Sequence, residues 1–528
     1  DVANLVQIDL SECKHLKNLP DLSKASKLKW VNLSGCESLC DFHPSVFSFD
    51  TLESLILDGC KKVKSLKSEK HLTSLMKISV NGCTSLREFS VSSDSVRSLD
   101  LSSTRIEMLD SSIGHLRNLM SLNVHGLIRG NIPNELSLLK DLEELRICNC
   151  RIAIDKQKLH VLFEGLTSLR LLHLKDCSNL SELPDNICGL SNLYELILDG
   201  SCVKTLPASI KHLKNLEILS LENCSKLGSL PELSPSVKEF NAVNCRSLGT
   251  VSTLTTFVVN MKSQGKFISF KNCVGLNESS LHCIMKGAHL AISSAVWQNI
   301  FVKGYGANTK IYNYNYNLVK FCFPGSRVPG LFKHRTTDSS ITVDLPSSQT
   351  DFVGLTLCVV LSPSRGMKNL AAKIWCQCYL ADGTKLGLAT TWYHKAVTGL
   401  NSDHVFMWCD SSHFDTILNV YHTDERRVTF EFFITNDIGE HVTIGTRECG
   451  LCLIFDSEED LRRPIRELYI KFYGLELELQ HSATSMETLT SDEYCCSDIN
   501  NHERDLSKHC SCYCLFGMDL LISSTFCY

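Results

Sequence analysis

Several things are missing from this sequence, and each absence removes a class of function. No run of about 20 apolar residues occurs, the length a helix needs to cross a bilayer. The start, Asp1-Val2-Ala3-Asn4, has neither the basic residues nor the apolar stretch of a secretion signal. An excess of positive charge is also lacking. The formal net charge is -5 over 528 residues, whereas dedicated nucleic-acid binders are usually basic. The phosphate cradle G-x-x-x-x-G-K-[S/T] is absent, and so are H-E-x-x-H and G-x-S-x-G. No nucleotide switch, zinc protease or serine hydrolase is therefore announced.

Cysteine, by contrast, is plentiful at 27 residues. The number is odd and the residues are spread along the chain, unlike the dense, even-numbered framework of a small secreted scaffold. That pattern points to a reducing compartment and to buried free thiols. Many of the cysteines recur in a frame, L-x-x-L-x-L-x-x-C. It starts at Leu5, Leu28, Leu52, Leu75, Val96, Leu119, Leu142, Leu169, Leu193, Leu216 and Val237, eleven starts spaced by 21 to 27 residues. This is the period and pattern of a leucine-rich repeat. Alternation such as Leu55 and Leu57 marks a short strand with one buried face. Because one repeat cannot bury its own leucines, the repeats must stack. The turn position holds Cys13, Cys36, Cys60, Cys83, Cys150, Cys177, Cys224 and Cys245, and Thr104, Leu127 or Ser201 in the other three repeats. These cysteines read as small buried hydrophobes rather than metal ligands. On the return side, Leu183-Pro184-Asp185-Asn186-Ile187 and Leu206-Pro207-Ala208-Ser209-Ile210 predict a short helical or irregular segment entered through proline.

Curvature makes the strand side of such a solenoid an extended concave binding surface. The outward positions assigned to partner binding are Trp30, Asp58, Arg97, His125, Arg146, Arg170, His173, Lys175, Tyr194, Glu195 and Glu222. Their mixed charge suits a protein better than a polyanion. Trp30 and Tyr194 are candidate anchors, since exposed aromatics beside charges often carry interface energy. The plainer alternative is a solvated surface, with Trp30 packed on a neighbouring repeat.

The leucine frame fades after Cys245-Arg246-Ser247-Leu248, and the Ser/Thr-rich stretch around residues 250–256 reads as a junction. A short helix is expected from Asn277, which can cap it. Beyond residue 315 the apolar period becomes two. Strands are expected at Ser340–Leu345, Phe352–Leu361, Ala372–Leu380, Leu386–Tyr393, His404–Cys409, Arg427–Ile434 and His441–Phe455, with a loop at 394–401. Many short strands between Gly, Ser, Pro and Asp favour a β-sandwich. The expected layout is thus an α/β leucine-rich-repeat solenoid of about eleven repeats over 1–250, a junction over 251–265, an all-β sandwich over 266–456 and a polar, Cys-containing tail over 457–528. The tail's His509-Cys510-x-Cys512-x-Cys514 matches no standard metal spacing. No metal site is assigned.

The stretch LVQIDLSECKHLKNLPDLSKASKLKWVNLSGCESL at 5–39 resembles the repeats of plant intracellular disease-resistance proteins. The subclass is the one that joins a Toll/interleukin-1-receptor (TIR) domain, a nucleotide-binding switch and leucine-rich repeats (TIR-NBS-LRR). ISFKNCVGLNESSLHCIMKGAHLA at 268–291 is similar to the start of its post-repeat domain, and FPGSRVPGLF at 323–332 to its P-G-x-x-I-P-x-W-F signature. Pro324, Gly325, Pro329 and Phe332 match that signature, Val328 replaces Ile, and Leu331 stands where the family has Trp. RECGLCLIF at 447–455 resembles the closing strand. The resemblance implies a jelly-roll/Ig-like post-repeat domain. It also implies recognition of a pathogen effector, or of a guarded host protein, by the concave face together with that domain. ADP or ATP would belong to the missing nucleotide-binding domain and NAD cleavage to the missing TIR domain, so no cofactor and no catalysis are expected in this chain. The uncapped first repeat fits missing upstream sequence. Cytoplasmic residence is implied, with the nucleus as a second place. Three other readings stay open: a non-immune repeat adaptor; an extracellular receptor ectodomain, suggested by Gly130-Asn131-Ile132-Pro133 and sequons at Asn32, Asn179, Asn223 and Asn277; and an enzyme using His394, His404 and Asp410.

Overall fold

The computed structural model describes residues 2–252, 254, 265–304, 319–345, 352–363, 372–393, 399–410, 426–436, 438–441 and 446–455. The tail expected over 457–528, with its Cys510, Cys512 and Cys514, lies outside them, as do His394 and most of the loop expected at 394–401. The described residues fall in one compact unit, Asp1–Leu477.

A strand begins two residues after each of the eleven expected starts. These are β1 (Gln7–Asp9), β2 (Trp30–Asn32), β3 (Ser54–Ile56), β4 (Lys77–Ser79), β5 (Ser98–Asp100), β6 (Ser121–His125), β7 (Glu144–Cys148), β8 (Leu171–His173), β9 (Glu195–Ile197), β10 (Ile218–Ser220) and β11 (Glu239–Asn241). Neighbours pair in parallel, in register, one rung per repeat, as in Arg146↔His173 and His173↔Ile197. The first four strands form one sheet, and a longer one starts at β5. Side chains bridge the gap: Ser103 Oγ accepts from Gly82 N at 2.7 Å and donates to Asn81 Oδ1 at 2.9 Å. The frame leucines Leu28, Leu52, Leu75, Leu119, Leu142, Leu169, Leu193 and Leu216 are fully buried. Truncating such a residue costs about 2–5 kcal/mol.

The cysteine position has a second purpose. Several of these thiols reach back to a backbone carbonyl of the preceding rung: Cys36 to Leu10 O, Cys60 to Leu33 O and Cys83 to Leu57 O, all at 3.1 Å. The residue before the cysteine turns through the left-handed region, as at Gly35, Gly59, Gly82, Asn223 and Asn244, where only Gly, Asn and Asp are at ease. Pro184 and Pro207 lead into 3-10 helices Asp185–Gly189 and Ala208–His212, which bury Ile187 and Ile210. One return segment is a true helix, α1 (Lys156–Gly165), whose Asp155 carboxylate accepts from Lys158 N at 2.7 Å.

The ladder does not end where the leucine frame fades. β12 (Lys266–Ser269) pairs in parallel with β11, and β13 (Val319–Pro324) with β12. Between them runs α2 (Glu278–Gly304), at 27 residues far longer than the short helix expected. Asn277 caps it as expected, accepting from Ser280 N at 2.8 Å. The strands after β13 are β14 (His334–Thr336), β15 (Ser340–Asp344), β16 (Phe352–Leu361), β17 (Ala372–Leu380), β18 (Lys385–Tyr393), β19 (His404–Asp410), β20 (Arg427–Asn436) and β21 (Thr446–Phe455). The pivot is β13, parallel to β12 on one side and antiparallel to β19 on the other. One sheet therefore runs unbroken from β5 to β11 and on through β12, β13, β19, β16, β21 and β14. A second antiparallel sheet, β15-β20-β17-β18, faces its far end. The two share a core that includes Leu357, Phe406, Trp408 and Leu451 from one and Ile374, Trp392, Phe430 and Phe432 from the other.

Candidate functional site

Period two puts every second strand residue on the outward face of the ladder, away from the leucine core. Two rows of side chains result. One runs Trp30, Ser54, Lys77 and, after the break, Glu144, Leu171, Glu195, Ile218, Glu239 and Phe267. The other carries Asn123, Arg146, His173, Ile197, Ser220 and Asn241. Rows from separate repeats are thus brought side by side at strand spacing, about 4.8 Å.

Much of the charge on this face is paired within it. Arg146 meets Glu144 at 2.7 Å, Arg170 meets Glu143 at 3.7 Å and His173 Nε2 meets Glu195 at 3.0 Å. Lys29 with Glu53 and Lys238 with Glu217 lie at 2.7 Å. The exposed ones, Lys29–Glu53 and Arg170–Glu143, are worth ~0–1 kcal/mol each. Arg97 is exposed and rests a guanidinium nitrogen on Met120 Sδ at 3.4 Å. Lys175 is exposed and makes no ion pair among the described residues. His125 meets Asn149 Nδ2 at 3.1 Å. Trp30 is half-buried, in register with Gln7 and Ser54. Tyr194 is 39% exposed, and burial together with the Glu217 carboxylate raises its phenol pKa. Glu222 accepts from Asn241 Nδ2 at 3.2 Å. Asp58 is spent on the fold: its Oδ1 accepts from Ser79 Oγ at 2.6 Å and Asn81 N at 2.9 Å, stitching one rung to the next. Asp199 does the same for Ser220 and Glu222 N.

At the C-terminal end the outward rows change partner. Phe267 lies 6.1 Å from the Trp392 ring, and Lys320 Nζ sits 5.8 Å over that ring. Cys322, which follows Ser269 in the second row, and Phe406 and Trp408 of β19 are fully buried between the two sheets. The second sheet thus stands on the same side of the ladder as the candidate binding residues. It forms a wall at the end of that face.

The post-repeat motif explains the join. Phe332 is buried, and its backbone N–H bonds Pro329 O at 3.1 Å. Val328 N donates to Glu448 Oε2 at 2.7 Å. A Cβ on Gly450 would come within 2.5 Å of Val328 and 3.1 Å of Phe332; one on Gly325 would come within 2.8 Å of Val405. Pro324 ends β13 opposite His404. Leu331, in the place of the family's Trp, is half-buried against the core. The two quoted motifs, 323–332 and 447–455, therefore pack on each other.

His404 belongs to the same join. Its Nε2 accepts from Asn272 N at 2.8 Å and its Nδ1 lies 2.7 Å from Ser402 O, which fixes a neutral ring. Burial pushes its pKa down to about 4. Asn272, left-handed like Asn244 before it, bonds Asn244, Gly399 O and Asn401 N, each at 2.9 Å. A ring so engaged has no lone pair left for acid–base work, which removes His404 from the enzymatic reading; Asp410 is the last residue of β19, and its side chain lies outside what is described. Among the described residues no group of three or more His, Cys, Asp or Glu could hold a metal ion. No described helix is long and apolar enough to cross a membrane. The four sequon side chains are all in use: Asn179 Nδ2 donates to Arg151 O at 2.6 Å, Asn223 Oδ1 accepts from Asn244 at 2.9 Å, Asn32 Oδ1 accepts from Ser34 N at 3.1 Å, and Asn277 caps α2.

Comparison with known proteins bears on what this arrangement is. Residues 323–460 match the family model of the C-JID domain. Over 87% of its length the chain is 29% identical to "Disease resistance-like protein DSC1" of Arabidopsis thaliana. Over 90% it is 28% identical to "Disease resistance protein RPS4", and over 92% it is 28% identical to "Disease resistance protein RPP2B", both from the same plant. In sequence the chain is thus similar to plant disease resistance proteins over most of its length, with a C-JID domain matched in its C-terminal part. It spans 43%, 39% and 44% of those relatives, as a leucine-rich-repeat and C-JID portion. Among solved structures, a leucine-rich-repeat protein of Leptospira interrogans overlaps 54% of this chain and 94% of its own, at 18% identity and a TM-score of 0.34.

Proposed function

We propose that this disease-resistance portion is the recognition module of a plant immune receptor. It binds a pathogen protein, directly or through a host protein, on the concave ladder face and the adjoining C-JID wall. The C-JID domain is read as a jelly-roll/Ig-like sandwich. What carries the proposal is the unbroken row from Glu195 through Ile218 and Glu239 to Phe267, which ends against Trp392 of the second sheet. A partner lying on that floor touches both domains at once, and any partner that prefers one arrangement of the receptor shifts its equilibrium. Catalysis and nucleotide binding are assigned to the TIR and nucleotide-binding portions of the receptor, outside this sequence. The receptor is placed in the cytoplasm, with the nucleus as a second location. Paired charges around apolar Leu171, Ile197 and Ile218 favour a protein partner over nucleic acid.

The test is co-expression in leaf of the receptor with candidate pathogen proteins, scoring the defence response and direct association. Reversing Arg146, Arg170 and Lys175 should abolish both. The same reversals at Lys211 and Lys214, on a return segment, should not. Equal loss from both sets would remove the proposal. The alternative, a repeat adaptor without immune role, predicts association without a defence response.

A further inference from the structure

The cysteine ladder is regular except at one step. Cys36, Cys60 and Cys83 donate to carbonyls of the rung before them, and Cys224, Cys245 and Cys273 do the same at 3.2, 2.9 and 2.9 Å. Cys150 does not. The rung before it has Leu127 in place of cysteine, and β6 and β7 remain paired further along than their neighbours, to His125↔Cys148. The Cys150 thiol is directed instead at Cys177 Sγ, 2.7 Å away. Both residues are fully buried and neither is in a disulfide. They occupy equivalent turns of adjacent rungs, since Arg146 is in register with His173 and each cysteine follows four residues later. Strands paired this way hold Cα atoms at about 4.8 Å, inside the roughly 4.4–6.8 Å that a disulfide spans.

We propose that Cys150 and Cys177 are an oxidative modification site, closed to an inter-rung disulfide by a peroxide. The facing S–H stabilises a thiolate on Cys150, while Cys177 is driven strongly upward, so one sulfur of the pair ionises before the other. The thiolate attacks the O–O bond, becomes a sulfenic acid and releases hydroxide, which takes up the thiol proton as water. The Cys177 sulfur then displaces the sulfenic hydroxyl, and its own proton leaves with that hydroxyl as a second water. Two S–H bonds and one O–O bond break, one S–S bond forms, and the peroxide is the oxidant. The product ties the turn after β7 to the turn after β8, beneath the Arg146 and His173 positions of the outward face.

The experiment treats the whole chain with graded hydrogen peroxide, alkylates remaining thiols in denaturant and maps unreduced peptides by mass spectrometry. The expected result is a Cys150–Cys177 cross-linked peptide, lighter by two hydrogens than the sum of its parts, that appears before any Cys60–Cys83 or Cys224–Cys245 link. Dithiothreitol should remove it and Cys177→Ser should abolish it, together with a rise in melting temperature on oxidation. The proposal is overturned if Cys150 and Cys177 remain fully alkylated at peroxide levels that already oxidise exposed Cys13 and Cys40, or if the other ladder pairs link first. Because the peptide map is made on the unaltered chain, the outcome does not depend on whether the serine variant folds.

Discussion

Cys60 and Cys83 lie in the interior with their thiols on backbone carbonyls, and burial pushes both up to about 12. A thiol held in that way is a poor nucleophile. A water-soluble alkylating reagent should therefore label Cys13 and Cys40 in the native protein and spare Cys60 and Cys83 until unfolding; equal labelling by mass spectrometry would contradict the ladder. Leu172 shows the same dependence on burial. It is fully buried between Leu145 and Leu196, and Leu172→Asp puts an unpaired charge in the stacked core. Loss of the cooperative melt is expected, by circular dichroism. His404 adds a pH dependence. Its folded value is about 4 against 6.5 for a free ring, so the unfolded chain takes up the proton first. Stability is then fully present above about 6.5 and falls as pH drops toward 4, by up to about 3 kcal/mol from this ring. Urea unfolding at pH 7 and pH 4.5 should show that loss, and His404→Gln should remove this share of it. An unchanged pH difference in the variant would contradict the buried neutral ring.

At the scale of the element, each rung needs a strand, a left-handed turn and a returning segment. The first of these was plain in the sequence, because leucines at a period near 23 residues cannot be buried except by stacking. The strands from 340 to 455 were legible too, since their alternation survives wherever one face meets the other sheet. β12 escaped the leucine frame because Ile268 and Phe270 stand in for leucines. Its turn, Asn272-Cys273, repeats Asn223-Cys224 and Asn244-Cys245 and was the available signal. β13 carried none: Phe321 and Phe323 face the solenoid core while Cys322 faces the second sheet, so both faces are apolar and no alternation remains. Helix α2 was underestimated because its apolar residues continue with few polar interruptions, which blurs the helical period. The roles of Asp58 and Gly450 depend on neighbours a repeat or a domain away, which a linear reading does not place. Gly450→Ala forces its new Cβ into Val328 and should destabilise the chain by about 1–3 kcal/mol. A denaturation midpoint within error of the parent would show that the two motifs do not meet there.

Across the whole molecule, the solenoid and the C-JID domain share a sheet, so the candidate surface has a floor and a wall rather than two separate patches. The side chains on the floor are mostly paired, and reversing Arg146, Arg170 and Lys175 should leave the melting temperature nearly unchanged while weakening partner binding in a direct assay; retained affinity with an intact fold would move the contact elsewhere. The shared sheet itself is open to one decisive measurement, amide hydrogen exchange on the isolated chain. Residues 266–269, 319–324 and 404–410 should exchange as slowly as 218–220 and 239–241, because all are strands of one sheet. Exchange of 266–269 and 319–324 at the rate of free peptide, with protected strands on either side, would show a hinge where a continuous sheet is described.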